Sequence, residues 1–262
     1  TAFTLHDTYG FPVEITEEIC ADANITVDKE GFEACMDQQR ERARAATKDD
    51  AEAAWSTYGG IHDDLLKELG ATGFVGYDRL TATAEVKAVV KDGKRVESLA
   101  QGEEGEVVLG LTPFYAEMGG EVGDTGTIEA EGIKLQVVDT KAPAKGLVVH
   151  SVKVVEGSVH AGDTVRAIVD ELRRKRITRN HTCTHLLHAA LREVLGDHVK
   201  QAGSYVGPDR LRFDFTHFEG MTAEQISEVE RVANNVIMQA LPMNIYETSL
   251  DEARESGVTG LF

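Results

Sequence analysis

Two histidines spaced four residues apart, His181 and His185, are the side chains best suited to do chemistry in this sequence. On a helix, positions i and i+4 lie one turn apart on the same face, so both imidazoles can reach one metal ion. Zinc is the natural candidate, because it accepts neutral imidazole and needs no redox chemistry. The alternative is a pair of surface or capping histidines. Five of the nine histidines lie between residues 181 and 217, which favours a site.

Residues close to this pair bear on the class of enzyme and on which other side chains could be ligands. Thr182 stands where a zinc protease of the HExxH type has its glutamate base, so peptidase activity is disfavoured. Cys183 points away from the histidine face, and we predict that it is a small core residue. A third ligand from the same helix would splay the geometry, so we predict that His188 is packed or solvated.

A basic run precedes the histidines. Residues 173–179 contain five Lys or Arg side chains, among them Arg173, Arg174 and Arg176, in a chain with 45 acidic and 27 basic residues and a net charge of −18. In so acidic a protein, this run predicts contacts with nucleic-acid phosphates. The alternative is a solvated edge that balances nearby carboxylates. We favour the phosphate contact because the run adjoins the histidine pair.

A glycine-rich segment, residues 113–126, has four glycines in its last eight positions. Glycine lets the backbone approach a ligand closely, so we place Gly119 and Gly120 at a ligand-binding surface. The alternative is a pair of tight turns in a barrel. The segment is not a phosphate loop, because no Lys-Ser/Thr pair follows and no helix begins behind it.

Residues 1–70 and 71–170 differ in pattern. The first 70 residues hold 16 acidic and 6 basic side chains and have helical periodicity, with Asp28 as a helix cap and a helix over 61–69 closed by Gly70. The next hundred hold 14 of the 25 glycines, with short β-branched runs and frequent turn signals. We therefore predict a helical leader followed by a small antiparallel β-barrel, with a sandwich as the less favoured alternative.

Residues 171–262 combine helices with a hairpin. A basic run is predicted to lead into a helix over about 180–195, and residues 204–206 are predicted to pair with 211–215. Thr222 and Gln225 form a capping box for another helix, which must stop near Leu241 because a proline follows. The predicted fold class is α+β, with boundaries near residues 70 and 170.

Composition excludes several classes of protein. The hydrophobic fraction of 42% suits a globular chain, and the acidic balance excludes a wholly basic nucleic-acid coat. No run of eighteen apolar residues predicts a transmembrane helix. Three scattered cysteines without a CxxC pair argue against a disulfide framework, so a reducing cytoplasm is the expected compartment. The start at Thr1 suggests a piece of a longer protein.

Three ordered motifs resemble those of alanyl-tRNA synthetases, and together they run through essentially the whole chain. Residues 5–12, LHDTYGFP, resemble the family segment LYDTYGFP, and residues 113–126 resemble PFYPESGGQxGDxG. Residues 181–187 resemble HTATHLL. The departures are mild and lie at His6, Ala116, Met118, Glu121 and Cys183.

The resemblance implies a central fragment of a class II ligase: the end of its tRNA-recognition region, its barrel and most of an editing domain. The family attaches alanine to tRNA(Ala) with ATP and magnesium, and its editing domain hydrolyses Ser-tRNA(Ala) and Gly-tRNA(Ala). Editing is needed because a small pocket cannot strongly reject serine, which adds one hydroxyl, or the smaller glycine. The amino-acid moieties expected to meet the protein are therefore alanine, serine and glycine.

The resemblance also implies roles for individual residues. His181 and His185 match one pair of zinc ligands, whereas a second pair, CxxxH, would lie beyond Phe262. Thr184 and Gln201 match residues of the editing pocket, and Arg173, Arg174, Arg176, Gly119 and Gly120 become candidates for tRNA contact. With two ligands, we expect this fragment to bind zinc poorly and to lack editing activity, with His217 as the one nearby candidate for a third ligand.

Two alternatives stay open. One is a free-standing editing hydrolase, which shares the barrel and the HxxxH motif but not the acidic helical leader. The other is a non-enzymatic tRNA-binding module whose histidines are structural. Within the editing reading, zinc would either orient the substrate or polarise a water molecule.

Overall fold

The computed structural model describes residues 60–242, together with residues 16, 20, 25–29, 31–32, 248–249, 252 and 256. The chain divides into two compact units, residues 1–60 and 61–262. In the first unit, the Gly31 N–H donates a hydrogen bond of 2.9 Å to the Asp28 side chain, which confirms Asp28 as a cap. Most of the predicted helical leader lies outside the described residues, and the predicted boundaries at 70 and 170 stay predictions.

Between residues 60 and 242 the chain forms three helices and thirteen strands. No helix in this described part is both long and apolar enough to span a membrane. In chain order, the elements are α1 Ile61–Leu69, β1 Gly73–Phe74, β2 Thr81–Lys91, β3 Lys94–Val96, β4 Ser98–Ala100, β5 Glu104–Leu109, β6 Leu111–Thr112, β7 Gly126–Ala130, β8 Ile133–Ala144, β9 Leu147–Glu156, β10 Ser158–His160, β11 Thr164–Val169, α2 Glu171–Leu195, β12 Gln201–Val206, β13 Leu211–Phe215 and α3 Ala223–Met238.

Six of the strands close into an antiparallel barrel. Their order is β11, β7, β8, β9, β5 and β2, and β2 pairs again with β11. Every pairing around the ring is antiparallel. Closure satisfies the hydrogen bonds that an open sheet would leave at its edges. The predicted small barrel and the α+β fold class are therefore confirmed.

The alternation of side chains along the strands gives this barrel two apolar faces. Val89 and Val107 point into the interior core, whereas Val90 and Val108 belong to a second core outside the wall. Helix α1 covers that outer core with Leu65, which is 1% exposed. The helix predicted over residues 61–69 is confirmed, including its closure by a glycine with positive φ.

Helix α2 begins earlier than the sequence predicted. Asp170 is its N-cap and accepts a hydrogen bond of 3.0 Å from the Arg173 N–H, so the helix starts at Glu171 rather than near residue 180. The basic run therefore forms the first turns of the helix that carries the histidines. Because these residues are helical, the direction of each basic side chain is set by its position around the helix.

The hairpin and α3 agree with their predictions. Strands β12 and β13 pair Val206 with Leu211, and the Thr222–Gln225 capping box is present with both of its hydrogen bonds. Their shared core with α2 lies around Ala190. Cys183, two turns before Ala190 on α2, is half-buried and does not belong to this cluster, so the prediction of a core residue is wrong.

A buried histidine in the barrel makes stability depend on pH. His150 is fully buried, with Nδ1 2.9 Å from the Val107 carbonyl and Nε2 2.7 Å from the Thr112 hydroxyl. Its neutral form satisfies both contacts, since Nδ1–H donates and Nε2 accepts. Burial lowers the pKa of His150 from 6.5 to about 4.

We expect His150 to stabilise the fold fully above pH 6.5 and to lose about 3 kcal/mol of that stabilisation as the pH falls to about 4. Between these values the unfolded chain binds a proton that the native protein excludes. Urea unfolding of His150→Gln should therefore depend less steeply on pH than unfolding of the wild type. The exposed His160 provides the control, since His160→Gln should keep the wild-type slope. Equal slopes for His150→Gln and the wild type would contradict this account.

Candidate functional site

The two histidines of the HxxxH motif lie side by side on α2. The ring centroids of His181 and His185 are 5.1 Å apart and the ring planes differ by 24°. This arrangement follows from their spacing of one helical turn. The structure thus brings the two imidazoles together, while their metal-binding role stays a prediction.

A buried carboxylate from the barrel side reaches this pair. The Glu121 side chain hydrogen-bonds His181 Nδ1, and Glu121 is only 9% exposed. Since an ionised carboxylate only accepts hydrogen bonds, Nδ1 carries the proton and Nε2 is left free. Glu121 is 60 residues from His181 in sequence, and it was not among the predicted site residues. The one signal for it was its departure from the glutamine of the family motif.

A tight turn of two glycines holds Glu121 in place. Gly119 and Gly120 have φ angles of +63° and +88°, which favour glycine. Beyond the turn, Val206 N–H donates to the Gly120 carbonyl at 2.8 Å, and Val122 N–H donates to the Val206 carbonyl at 3.1 Å. These bonds attach the glycine-rich segment to strand β12, with Glu121 as the bridging residue.

Close packing gives Gly120 a second reason to be glycine. A Cβ atom at this position would lie 2.3 Å from the Ser204 carbonyl oxygen. A Cβ atom at Gly119 would meet nothing within 4 Å. The predicted tRNA contact of both glycines stays a prediction. The positive φ angles at both positions, and the close approach of the hairpin to Gly120, already explain why this turn contains glycine.

The electrostatic surroundings shift the pKa values of the two histidines in opposite directions. The pKa of His181 is raised because Glu121 accepts its hydrogen bond, and burial opposes this only in part. The pKa of His185 is lowered, first because burial disfavours its charged form and then because His181 and His188 repel a further positive charge. His185 is therefore neutral at pH 7 and able to accept a proton or bind an electrophile.

Arg174 is an internal residue of the fold. Its guanidinium pairs with Asp124, and the two side chains are 15% and 2% exposed. It also donates to the Gly76 carbonyl at 2.9 Å and to the Pro113 carbonyl at 3.0 Å. The predicted phosphate contact of Arg174 stays a prediction. In the structure, the hydrogen bonds of this guanidinium attach α2 to the barrel.

The other basic residues are placed differently. Arg173 donates to the Gly123 carbonyl at 2.8 Å. Arg176 has a side chain that is 63% exposed and lies 3.8 Å from Asp209, a weak pair in solvent. Of the three arginines predicted to contact phosphate, Arg176 is the one whose charge faces solvent.

Thr184 and Gln201 occupy separate positions. Thr184 is 6% exposed and donates to the Asn180 carbonyl at 2.8 Å. Gln201 is half-buried opposite Phe215, at the far end of β12 from Val206. Gln201 and Val206 are five positions apart along the strand, which is about 16 Å. The hairpin therefore has the Glu121–His181 contact at one end and Gln201 at the other.

A cavity lies along the C-terminal half of α2. Its volume is about 320 Å³, which suits a small ligand. It extends from His185 to Asp197, the residue before His198. The cavity is lined by His185, His188, Ala189, Arg192, Glu193 and Asp197.

The described residues do not complete a zinc site. A catalytic zinc usually has three protein ligands, of which His181 Nε2 and His185 would supply two. No group of three or more His, Cys, Asp or Glu side chains within the described part of the chain is placed to hold a metal ion. His217, the candidate third ligand, instead hydrogen-bonds His198 at 2.8 Å. His188 packs against Phe213, with ring centroids 5.1 Å apart, as a packed histidine would.

Comparison with known proteins agrees with the motifs. The chain is 51% identical to the alanine–tRNA ligase of Carboxydothermus hydrogenoformans over 261 residues and covers 100% of itself but 30% of that protein. It is 48% identical to the ligases of Pelotomaculum thermopropionicum and Geobacillus kaustophilus, of which it covers 30% and 29%. The chain thus spans about 30% of the length of these relatives. The profile of class II (A) tRNA synthetases matches residues 1–173, and the chain belongs to this family.

Proposed function

We propose that this chain is the central part of an alanine–tRNA ligase and that residues 171–262 belong to its editing site. The whole protein would attach alanine to tRNA(Ala) with ATP and magnesium in the cytoplasm. The observation that carries this proposal is the 51% identity to such a ligase across the full chain. The family match from residue 1 onwards favours a ligase over a free-standing hydrolase, because it includes the leader ahead of the barrel.

The editing reaction is hydrolysis of the ester that joins serine or glycine to the terminal ribose of tRNA(Ala). A water oxygen bonds to the carbonyl carbon, the ester bond to the ribose oxygen breaks, and that oxygen takes up a proton. The products are a free amino acid and uncharged tRNA. A second site is needed because one extra hydroxyl or one missing methyl changes binding too little for the first site to discriminate.

Several side chains on α2 and on the hairpin suit this chemistry. Neutral His185 faces the cavity beside His181, whose orientation Glu121 fixes. Gln201 offers an amide that both donates and accepts hydrogen bonds, which suits recognition of a polar substrate better than proton transfer. Arg176 is a solvent-facing cation that can meet a tRNA phosphate. Zinc at His181 and His185 would need a further ligand.

Replacing Gln201 with leucine should slow release of serine from Ser-tRNA(Ala) by about tenfold, since the amide hydrogen bonds to the substrate are lost. Alanine charging should be unchanged. Single-turnover deacylation of Ser-tRNA(Ala) by the full-length protein measures the effect. Gln136→Leu is the matched control, because Gln136 is an exposed glutamine on β8 of the barrel.

The outcomes separate two questions. Absence of deacylation by the wild-type protein would overturn the editing proposal itself. If the wild type is active and Gln201→Leu hydrolyses Ser-tRNA(Ala) at the same rate, Gln201 is not part of the site, and the editing proposal stands.

A further inference from the structure

One aromatic side chain beside the hairpin is almost wholly open to solvent. Phe218 follows strand β13 and is 86% exposed. Its ring is nevertheless held on one side: it lies parallel to the His198 ring, with centroids 4.6 Å apart and planes 23° apart. Phe218 therefore has one supported face and one free face.

A pair of histidines forms the support. His198 Nε2 and His217 Nδ1 are 2.8 Å apart, the ring planes differ by 22°, and the centroids are 5.1 Å apart. Two imidazoles joined edge to edge by such a bond have about this centroid distance, so the rings form one nearly flat plate rather than a stack. The Phe218 ring lies over this plate, 4.6 Å from His198 and 6.1 Å from His217.

The backbone around the plate is also fixed. Thr216 N–H donates to the Lys200 carbonyl at 3.0 Å, and the Thr216 hydroxyl donates to the His198 carbonyl at 3.0 Å. Lys200 precedes Gln201, so the plate lies at the Gln201 end of the hairpin. Asp197, which lines the cavity, precedes His198. The lining of the cavity therefore extends from His185 to the residue next to His198 in the chain.

We propose that the free face of Phe218 stacks against an unpaired nucleobase of the tRNA acceptor end. This inference rests on the proposed function, and it adds a binding subsite to it. Every nucleobase presents a π-face to an aromatic ring, and unpaired bases are free to take this position. A ring fixed by its neighbours loses little conformational freedom when the base binds.

The charges near the ring favour stacking over phosphate binding. Lys200 and Glu219 are both exposed and carry opposite charges, so they offer no net attraction to a phosphate. The contribution of Phe218 should therefore change little with salt concentration, unlike that of a cation that binds phosphate.

The test uses the full-length protein and a short single-stranded ribonucleotide that ends in 2-aminopurine, whose fluorescence falls on stacking. The wild type should quench the probe, and Phe218→Ala should weaken its binding roughly five- to hundredfold. Phe218→Trp should restore both affinity and quenching. Met238→Ala is the control, because Met238 is 82% exposed at the far end of α3, about 24 Å of helix from its start.

Three results would overturn the inference: no quenching by the wild type, equal affinity in Phe218→Ala, or failure of Phe218→Trp to restore binding. An altered oligomeric state in Phe218→Ala with unchanged probe binding would assign the ring to a protein contact instead. Deacylation of Ser-tRNA(Ala) is measured separately. A protein that hydrolyses this substrate but binds the probe without Phe218 would keep the proposed function and lose the subsite.

Discussion

Replacing Arg174 with alanine is expected to lower the free energy of unfolding by about 3–5 kcal/mol, because it leaves the Asp124 carboxylate buried without its partner. Asp124 is 2% exposed and also accepts the Tyr115 N–H at 2.7 Å. The carbonyls of Gly76 and Pro113 would lose their donors as well. Urea unfolding of the variant measures the loss.

Arg176 provides the matched control on the same helix. Arg176→Ala should change the free energy of unfolding by less than about 0.5 kcal/mol, since its side chain is 63% exposed. It should instead reduce the salt slope of tRNA binding by about one. If Arg174→Ala kept full stability and reduced the salt slope, Arg174 would be a phosphate ligand and its internal role would be refuted.

Replacing Glu121 with leucine is expected to slow hydrolysis of Ser-tRNA(Ala) by roughly ten- to hundredfold, which is typical when the hydrogen bond that orients a functional histidine is lost. Without the carboxylate, the His181 ring can rotate and exchange tautomers. Glu121→Gln should retain most of the activity, because the amide oxygen also accepts a hydrogen bond from Nδ1–H. Single-turnover deacylation by the full-length protein measures both rates.

A second measurement separates orientation from folding. At a pH high enough to keep the ring neutral, nitrogen NMR of His181 should show the Nδ1–H tautomer in the wild type and in Glu121→Gln, and a mixture of tautomers in Glu121→Leu. Glu117→Leu, a change at an exposed position of the same segment, should leave both the tautomer and the rate unchanged. A single Nδ1–H tautomer in Glu121→Leu would show that Glu121 does not orient the ring.

Local patterns were enough to predict the parts of the fold that depend on neighbouring residues. The capping box at Thr222 and the alternation of apolar residues in β13 each act within a few positions of the chain. The start of α2 was missed although its signal was local, since Asp170 followed by Glu171 is a helix N-terminus.

Residues joined across long stretches of chain could not be predicted in the same way. Arg174 looks like its neighbours in the basic run, and its inward direction depends on Asp124, 50 residues earlier. Glu121 likewise reaches His181 only because the glycine turn attaches to β12. In both cases, tertiary packing gives one residue a partner that its local sequence does not indicate.

The attachment of the glycine turn to β12 also constrains recombination between ligases of this family. A crossover placed at Asp170 would look harmless, because it falls between the barrel and the helix. It would nevertheless take the carboxylate at 121 from one parent and the imidazole at 181 from the other, along with the two halves of the Arg174–Asp124 pair. Residues 121, 124, 174 and 181 should therefore be inherited together, and a hybrid that mixes them needs all four from the same parent.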